Sequence, residues 1–333
     1  MPRSPLAVPA LAALAVLFAL AGLAARPAAA SPQALRVAAV QLCISPADLG
    51  SREAFRGRIQ RLVERCLPFA PDLILFPEYT SAFLALLPYG LLLRDAQSVE
   101  AALRLVLERE PLARDLRDLF LLNSGLAERA ARELFGELAR RHGVAIGAGS
   151  WFAAESRGGR TSLVNRAVIF DERGGELYSQ DKVFLTPFEE ELLGMEPGRL
   201  QEAAPFLLRG RRIGLTLCRD TFFAEWERAL AGAELWVDLK ANGEPYTADV
   251  RESFLRALPA RLPGSGVPYG LTLCLTGSLA GLVWEGESSL VLWEPDGGLR
   301  VLIRAGSPTG EDILFFTLPD LDMGVAPGPE AAH

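Results

Sequence analysis

The sequence predicts one α/β domain built on a large mixed sheet or on two packed sheets. Apolar runs of strand length alternate with amphipathic helical segments from residue 35 to about residue 240, and from residue 269 onward the chain reads as strands separated by tight turns. No internal repeat and no Pro/Gly/Ser-rich linker divides that span, so its elements belong to one unit. Half of the residues are hydrophobic and 23% are charged, the balance of a packed globular chain rather than a disordered one.

Residues 35–42 (LRVAAVQL) form a short apolar strand. In residues 51–66, Phe55, Ile59, Leu62, Val63 and Cys66 fall on one helical face. Residues 72–76 (DLILF) are almost continuously apolar, as expected of a strand buried on both faces. Residues 81–123 carry two or more helical stretches, with Val99, Leu103, Val106 and Leu107 on one face and Leu112, Leu116, Leu119 and Phe120 on another. Lying between a strand and the helix that should return beside it, this segment reads as a helical insertion, a lid over a site. Its apolar stretch 83–93 suits either the wall of an acyl or hydrophobic substrate pocket or, more plainly, core packing.

A helix follows over 128–141, carrying Leu134, Phe135 and Leu138 and stopped by Arg140-Arg141-His142 and Gly143. Residues 144–148, 162–170 and 176–179 are strands, the last two joined by a turn at 171–175. Strands at 212–218 and 234–239 flank a helix at 222–231. The remaining strands are 270–275, 288–293, 299–303 and 313–318, with a hairpin turn at Pro295-Asp296-Gly297-Gly298.

Residues 1–30 read as a targeting segment apart from the domain at 31–325. Arg3 precedes an apolar run over 11–23, and small residues end at Ala28-Ala29-Ala30, the layout of a cleavable export signal. Residues 6–25 are also long enough for an uncleaved membrane anchor, so membrane association through the N-terminus stays open beside cleavage. Either way the domain is expected to be exported, periplasmic or extracellular.

Charge and residue counts narrow the chemistry. With 34 Lys+Arg against 41 Asp+Glu, the net charge of -7 argues against nucleic acid as a partner. Two histidines, His142 and the terminal His333, leave no histidine-rich metal site. Cys43, Cys66, Cys218 and Cys274 lack metal-ligand spacing, so no metal or other cofactor is expected. Catalysis must then run on carboxylates, lysines or thiols.

Three segments offer such groups. In LILFPEY (73–79) an apolar strand ends at Pro77 and Glu78, where an open α/β sheet presents ligand-facing side chains. YSQDKVFLTPFEEE (178–191) holds Lys182 and the acids Glu189, Glu190 and Glu191. In RRIGLTLCRDTFF (211–223) a strand runs into Cys218, and Arg219-Asp220 opens a helix whose N–H groups favour a thiolate. Each alone has a plainer reading: a turn acid, a solvated lysine, a core cysteine.

Glutamate, lysine and cysteine in this order, each in this context, resemble the nitrilase (carbon–nitrogen hydrolase) superfamily. The likeness extends through Arg36–Leu42, the hairpin at 165–175, and Gly266-Val267-Pro268, Thr276-Gly277 and 286–288. It implies a four-layer α-β-β-α sandwich with Glu78 as general base, Lys182 as electrostatic stabiliser and Cys218 as nucleophile. The backbone N–H of Arg219 would be a second donor to the oxyanion. Members often carry a second glutamate after the lysine in a P-F-G-E type segment; the similar Pro187-Phe188-Glu189-Glu190 makes Glu190 the candidate. Glu189 stands where glycine is common, which leaves Glu189 and Glu191 open. Arg219-Asp220 and Arg261-Leu262-Pro263-Gly264 also depart from the usual pattern, which bears on substrate more than on catalysis.

The implied activity is an exported hydrolase cleaving a non-peptide amide bond through a cysteine thioester, with a small-molecule amide or acyl substrate. An acyltransferase related to apolipoprotein N-acyltransferase is the alternative, and a catalytically silent envelope binding protein is a third reading. Assembly as a homodimer is a further expectation of the resemblance.

Overall fold

Alternation in the first strand already separates two packing layers. Val37 and Ala39 enter one apolar cluster and Ala38 and Val40 the other, as the period of two requires when both faces of a sheet are covered. A computed structural model of the chain describes residues 33–94, 96–319 and 323–325; the targeting segment read at 1–30 lies outside the described residues.

The chain opens with β1 (Leu35–Gln41) and the short β2 (Cys43–Ile44), then the helix Arg52–Cys66 and β3 (Leu73–Leu75). Short helices at Ala82–Tyr89 and Gly90–Leu93 and the helix Val99–Arg109 precede a long helix, Leu116–His142. It leads into β4 (Ala145–Arg157), β5 (Arg160–Phe170) and β6 (Glu176–Asp181). The second half supplies β7 (Phe206–Leu208), β8 (Arg211–Leu217), β9 (Leu235–Lys240) and β10 (Tyr269–Cys274). Next come β11 (Thr276–Leu279), β12 (Leu282–Trp284), β13 (Ser289–Glu294), β14 (Gly298–Arg304), β15 (Asp312–Leu318) and β16 (Met323–Val325).

One sheet runs β16-β15-β1-β3-β4-β5-β6, a second β14-β13-β10-β9-β8-β7, and a small third β12-β11-β2. Each large sheet has a parallel centre, β1-β3-β4 in one and β8-β9-β10 in the other, flanked by antiparallel strands. β15 returns across the whole chain to pair with β1, Leu35 opposite Leu318, closing the domain. Between the large sheets lies a layer containing Val37, Leu75, Ile213, Val237 and Leu273. The helices Arg52–Cys66 and Leu116–His142 cover the outer face of the first sheet, with Phe55, Ile59, Leu134 and Phe135 buried. Trp226, Leu258 and Leu262 cover the second. The expected four-layer α-β-β-α sandwich is the observed architecture. No helix among the described residues is long and apolar enough to cross a membrane.

Two local expectations change. The helix expected over 128–141 begins at Leu116, capped by the Asp115 side chain, and absorbs the end of the segment read as an insertion. Asn123 and Ser124 do not break it because their side chains donate back to the carbonyls of Leu119 and Leu121. The helix expected over 222–231 shrinks to Glu225–Ala229, since Phe223 is extended after a tight turn at Cys218–Phe222. Helices at Ala248–Arg256 and Leu258–Ser265 lie where the sequence was assigned no element; the second carries two prolines, Pro259 and Pro263.

Gly149 sits at an irregularity of β4, with φ of +68°. A Cβ there would lie 2.1 Å from the Pro77 carbonyl oxygen, one residue before Glu78. Gly149→Ala should therefore cost about 2 kcal/mol or more, by left-handed strain plus overpacking. Urea denaturation checks this, and an unchanged midpoint would contradict it.

Candidate active site

β3 ends at Leu75 and the chain turns through Phe76, Pro77, Glu78 and Tyr79, the last with φ of +64°. The turn is pinned to β4. Phe76 N–H donates to the Gly147 carbonyl at 3.0 Å, and Tyr79 N–H to the Ser150 hydroxyl at 3.0 Å. Glu78 thereby points inward and is fully buried. Its Oε1 accepts from Lys182 Nζ and Asn165 Nδ2, both at 2.9 Å, and its Oε2 from the Ala241 N–H at 2.9 Å.

Lys182 follows β6 directly, and its N–H donates to the Asn165 carbonyl on the neighbouring β5 at 2.8 Å. Its ammonium, also buried, lies 2.9 Å from Glu78 Oε1 and 2.8 Å from Glu189 Oε2. The sequence pointed to Glu190; the residue beside the lysine is Glu189, and Glu190 and Glu191 are exposed. The backbone explains the shift. Thr186 N–H and hydroxyl both donate to Glu189 Oε2, at 2.8 and 2.9 Å, while Glu189 N–H points back at Thr186 Oγ1. This reciprocal Thr-x-x-Glu cap turns the third residue after Thr186 inward. Tyr79 and Asn165 complete the Glu189 shell, donating to Oε1 at 2.9 and 2.8 Å. The Thr-x-x-Glu spacing was a usable signal for Glu189; Asn165, a polar residue on a buried strand, had none of its own.

Two carboxylates on one ammonium leave one negative charge in excess. Burial raises Glu78 to about 7; the Lys182 ammonium pulls it down and the Glu189 charge pushes it up. Burial opposes ionisation of Glu189 as well, but the Lys182 ammonium and hydrogen bonds from Lys182, Thr186 and Asn165 win, holding it below the usual range. Burial would lower Lys182, yet Glu78 and Glu189 together hold it well above an ordinary lysine. Glu189 thus neutralises the lysine and Glu78 is the carboxyl free to take a proton near neutrality.

Cys218 stands at the end of β8 in a left-handed conformation, φ of +51°, a strained turn that lifts its side chain off the strand. Asp220 holds that turn: its carboxylate accepts from Leu217 N–H at 3.2 Å and, across the site, from Val183 and Phe184 N–H at 3.1 and 2.8 Å. One buried side chain thus ties the cysteine turn to the lysine segment. Arg219 sends its guanidinium over the Phe223 ring, 5.9 Å from its centre, while its backbone stays in the turn beside the sulfur. Burial pushes the Cys218 thiol up to about 12; Lys240 and Lys182 pull it down and Glu78 pushes it up.

Lys240 and Asp238, on β9, were absent from the sequence reading because they interrupt an apolar strand without any motif. Both are buried, with Lys240 Nζ 3.0 Å from Asp238 Oδ2 and 3.4 Å from the Cys218 carbonyl oxygen. The ammonium also lies over the rings of Phe254 and Phe222, at 4.9 and 5.5 Å. The Thr221 hydroxyl is 2.8 Å from the Cys218 carbonyl oxygen and 3.1 Å from Asp238 Oδ2. This second charge pair braces the Cys218 turn.

Cys218, Lys182 and Tyr79 open onto a cavity of about 480 Å³, whose other walls include helices of the 81–123 segment. A permanently charged ammonium and a thiol thus line one space, with a carboxyl able to accept a proton bonded to that ammonium behind the wall, a set suited to attack on a carbonyl.

A family model for carbon–nitrogen hydrolases matches residues 36–252. Among solved structures, a mutant of the amidase from Nesterenkonia sp. AN1, with the acetamide moiety of fluoroacetamide covalently added at its active-site cysteine, superposes with a TM-score of 0.61. Identity is 24%, over 87% of this chain and 92% of that one. Another mutant of that amidase, in complex with butyramide, gives a TM-score of 0.60 at 24% identity, over 86% and 91% of the two chains. These similarities are of fold. No curated protein sequence matches significantly.

Removing one member of the buried Asp238–Lys240 pair would strand a charge. Asp238→Ala is expected to lower stability by about 3–5 kcal/mol. A chemical denaturation curve within about 1 kcal/mol of wild type would show that the pair does not bear on the fold.

Proposed function

The chain belongs to the carbon–nitrogen hydrolase family, and from that premise we propose that it is an exported amidase cleaving a non-peptide amide bond through a thioester on Cys218. The observation that carries the reading is the buried Lys182 ammonium held between Glu78 and Glu189, on the cavity that Cys218 also lines. The composition of residues 1–30 supports export.

In this mechanism Glu78 takes the thiol proton as sulfur attacks the amide carbon. A thiol near 12 facing a carboxyl near 7 keeps its proton at rest, so deprotonation accompanies attack rather than preceding it. The new C–S bond converts the carbonyl to an oxyanion, stabilised by the Lys182 ammonium and the Arg219 N–H, at about 3–4 kcal/mol for each preorganised donor. Collapse breaks the C–N bond, and the proton on Glu78 passes to the departing amine. Water then gives a proton to Glu78 and attacks the thioester; the C–S bond breaks and the proton returns to sulfur. Lys182 keeps its charge throughout, because Glu189 holds it protonated. Glu189, Asn165 and Asp220 position the reacting groups without exchanging protons.

Acyl transfer would differ only in the second step, with an amine in place of water; release of ammonia and free acid, rather than an N-acyl product, supports hydrolysis. Cys218→Ala should abolish ammonia release, and Glu78→Gln should lower kcat/KM by about a hundredfold or more. Full activity in either variant would refute the assigned role. Because the base works only when ionised and Glu78 lies near 7, kcat/KM should fall about tenfold per pH unit on the acid side of that midpoint. A profile flat from pH 8 to 5 would rule out Glu78 as the titrating base.

A further inference from the structure

We propose that the amide carries an uncharged aliphatic or aromatic acyl group several carbons long, seated in the cavity walled by the 81–123 segment; this rests on the amidase reading and specifies its substrate class. The reacting groups occupy one part of the cavity lining. Tyr79 and Thr186 are hydrogen-bonded to Glu189, and Lys182 and Cys218 belong to the cluster itself. The helical walls are of another kind: Phe83, Leu86, Leu93, Val106, Leu119 and Phe120 all face the space. Phe83 is packed edge-on to Trp284 and Phe120 to Phe152, rings that also line it, so the wall is built from interlocked aromatic side chains.

Size and charge both select. At about 30 Å³ per water-sized group, 480 Å³ accommodates on the order of fifteen non-hydrogen atoms. An acetyl group would leave most of that space unfilled. Apart from Lys182, whose charge Glu78 and Glu189 already balance, the charged lining residue among those described is the exposed Glu244. A carboxylate at the far end of the acyl chain would meet no cation there, and its desolvation would go unrepaid. An apolar chain is instead drawn in, each methylene contributing about 0.8 kcal/mol on burial, close to fourfold in affinity.

The test is a series of straight-chain primary amides from acetamide to octanamide, with adipic acid monoamide as the charged counterpart of hexanamide. Ammonia release should show kcat/KM rising about threefold to fourfold per methylene, and adipic acid monoamide should fall at least tenfold below hexanamide. Val106→Phe and Leu103→Trp, the latter at a half-buried position, should each reduce the octanamide-to-acetamide ratio of kcat/KM at least tenfold. Turnover that is flat or declining with chain length, or that favours the charged amide, overturns this inference and leaves the amidase reading standing. Absence of ammonia from every amide, with no adduct of a haloacetamide at Cys218, sinks the amidase reading instead. Calorimetry on the Cys218→Ala protein then decides the pocket separately: octanamide must bind at least tenfold tighter than acetamide, and equal affinities overturn it.

Discussion

One ammonium buried between two carboxylates organises this molecule. Lys182 is buried, and its charge is sustained by Glu78 and Glu189, which stand within 2.9 Å. Those carboxylates in turn need donors for their remaining oxygen lone pairs, and the fold delivers them from separate segments: Ala241 after β9, Asn165 on β5, Thr186 beyond the lysine and Tyr79 beside Glu78. A cluster satisfied from this many directions has little freedom to relax, which is the preorganisation that acyl-transfer chemistry demands.

The two-sheet architecture makes such convergence ordinary. In each large sheet the central strands are parallel, so their ends lie on one side, where the segments leaving β3, β8 and β9 carry polar residues to neighbouring positions. β3 brings Glu78, β8 brings Cys218 and β9 ends at Lys240. The sheets are held together by aliphatic packing of residues such as Val37, Ile213 and Val237, while Asp220 bridges their loops through backbone N–H groups of the lysine segment. Apolar packing sets the distance between sheets; a few charged side chains set the register of the site.

Above that site the 81–123 segment adds what the sandwich lacks. Its helices present leucine, valine and phenylalanine inward and finish the cavity at a place the strands alone would leave open. Apolar side chains that read more plainly as core than as pocket serve as both, since a wall packed against the core on one side can face a cavity on the other.

Strand and helix positions were legible from periodicity because the burial of both sheet faces leaves near-continuous apolar runs, as in 72–76 and 212–218. Glu78 and Cys218 were legible as candidates because each ends such a run, while Lys182 follows the mixed strand β6 and was singled out by the family resemblance that the three share in this order. Three adjacent acids could not be told apart by type; the backbone turn set by Thr186 decided that Glu189 enters and Glu190 faces solvent. Asp238 and Lys240 carry no signal in a strand, and only the parallel pairing of β9 with β8 sets them beside the Cys218 turn. The sequence by itself determined the layers and singled out Glu78, Lys182 and Cys218 as candidates, which depend on local pattern and on the order of the three residues. Tertiary structure decided which acid is neutralised, what braces Cys218 and how much space lies before it, because these depend on distances between segments far apart in the chain.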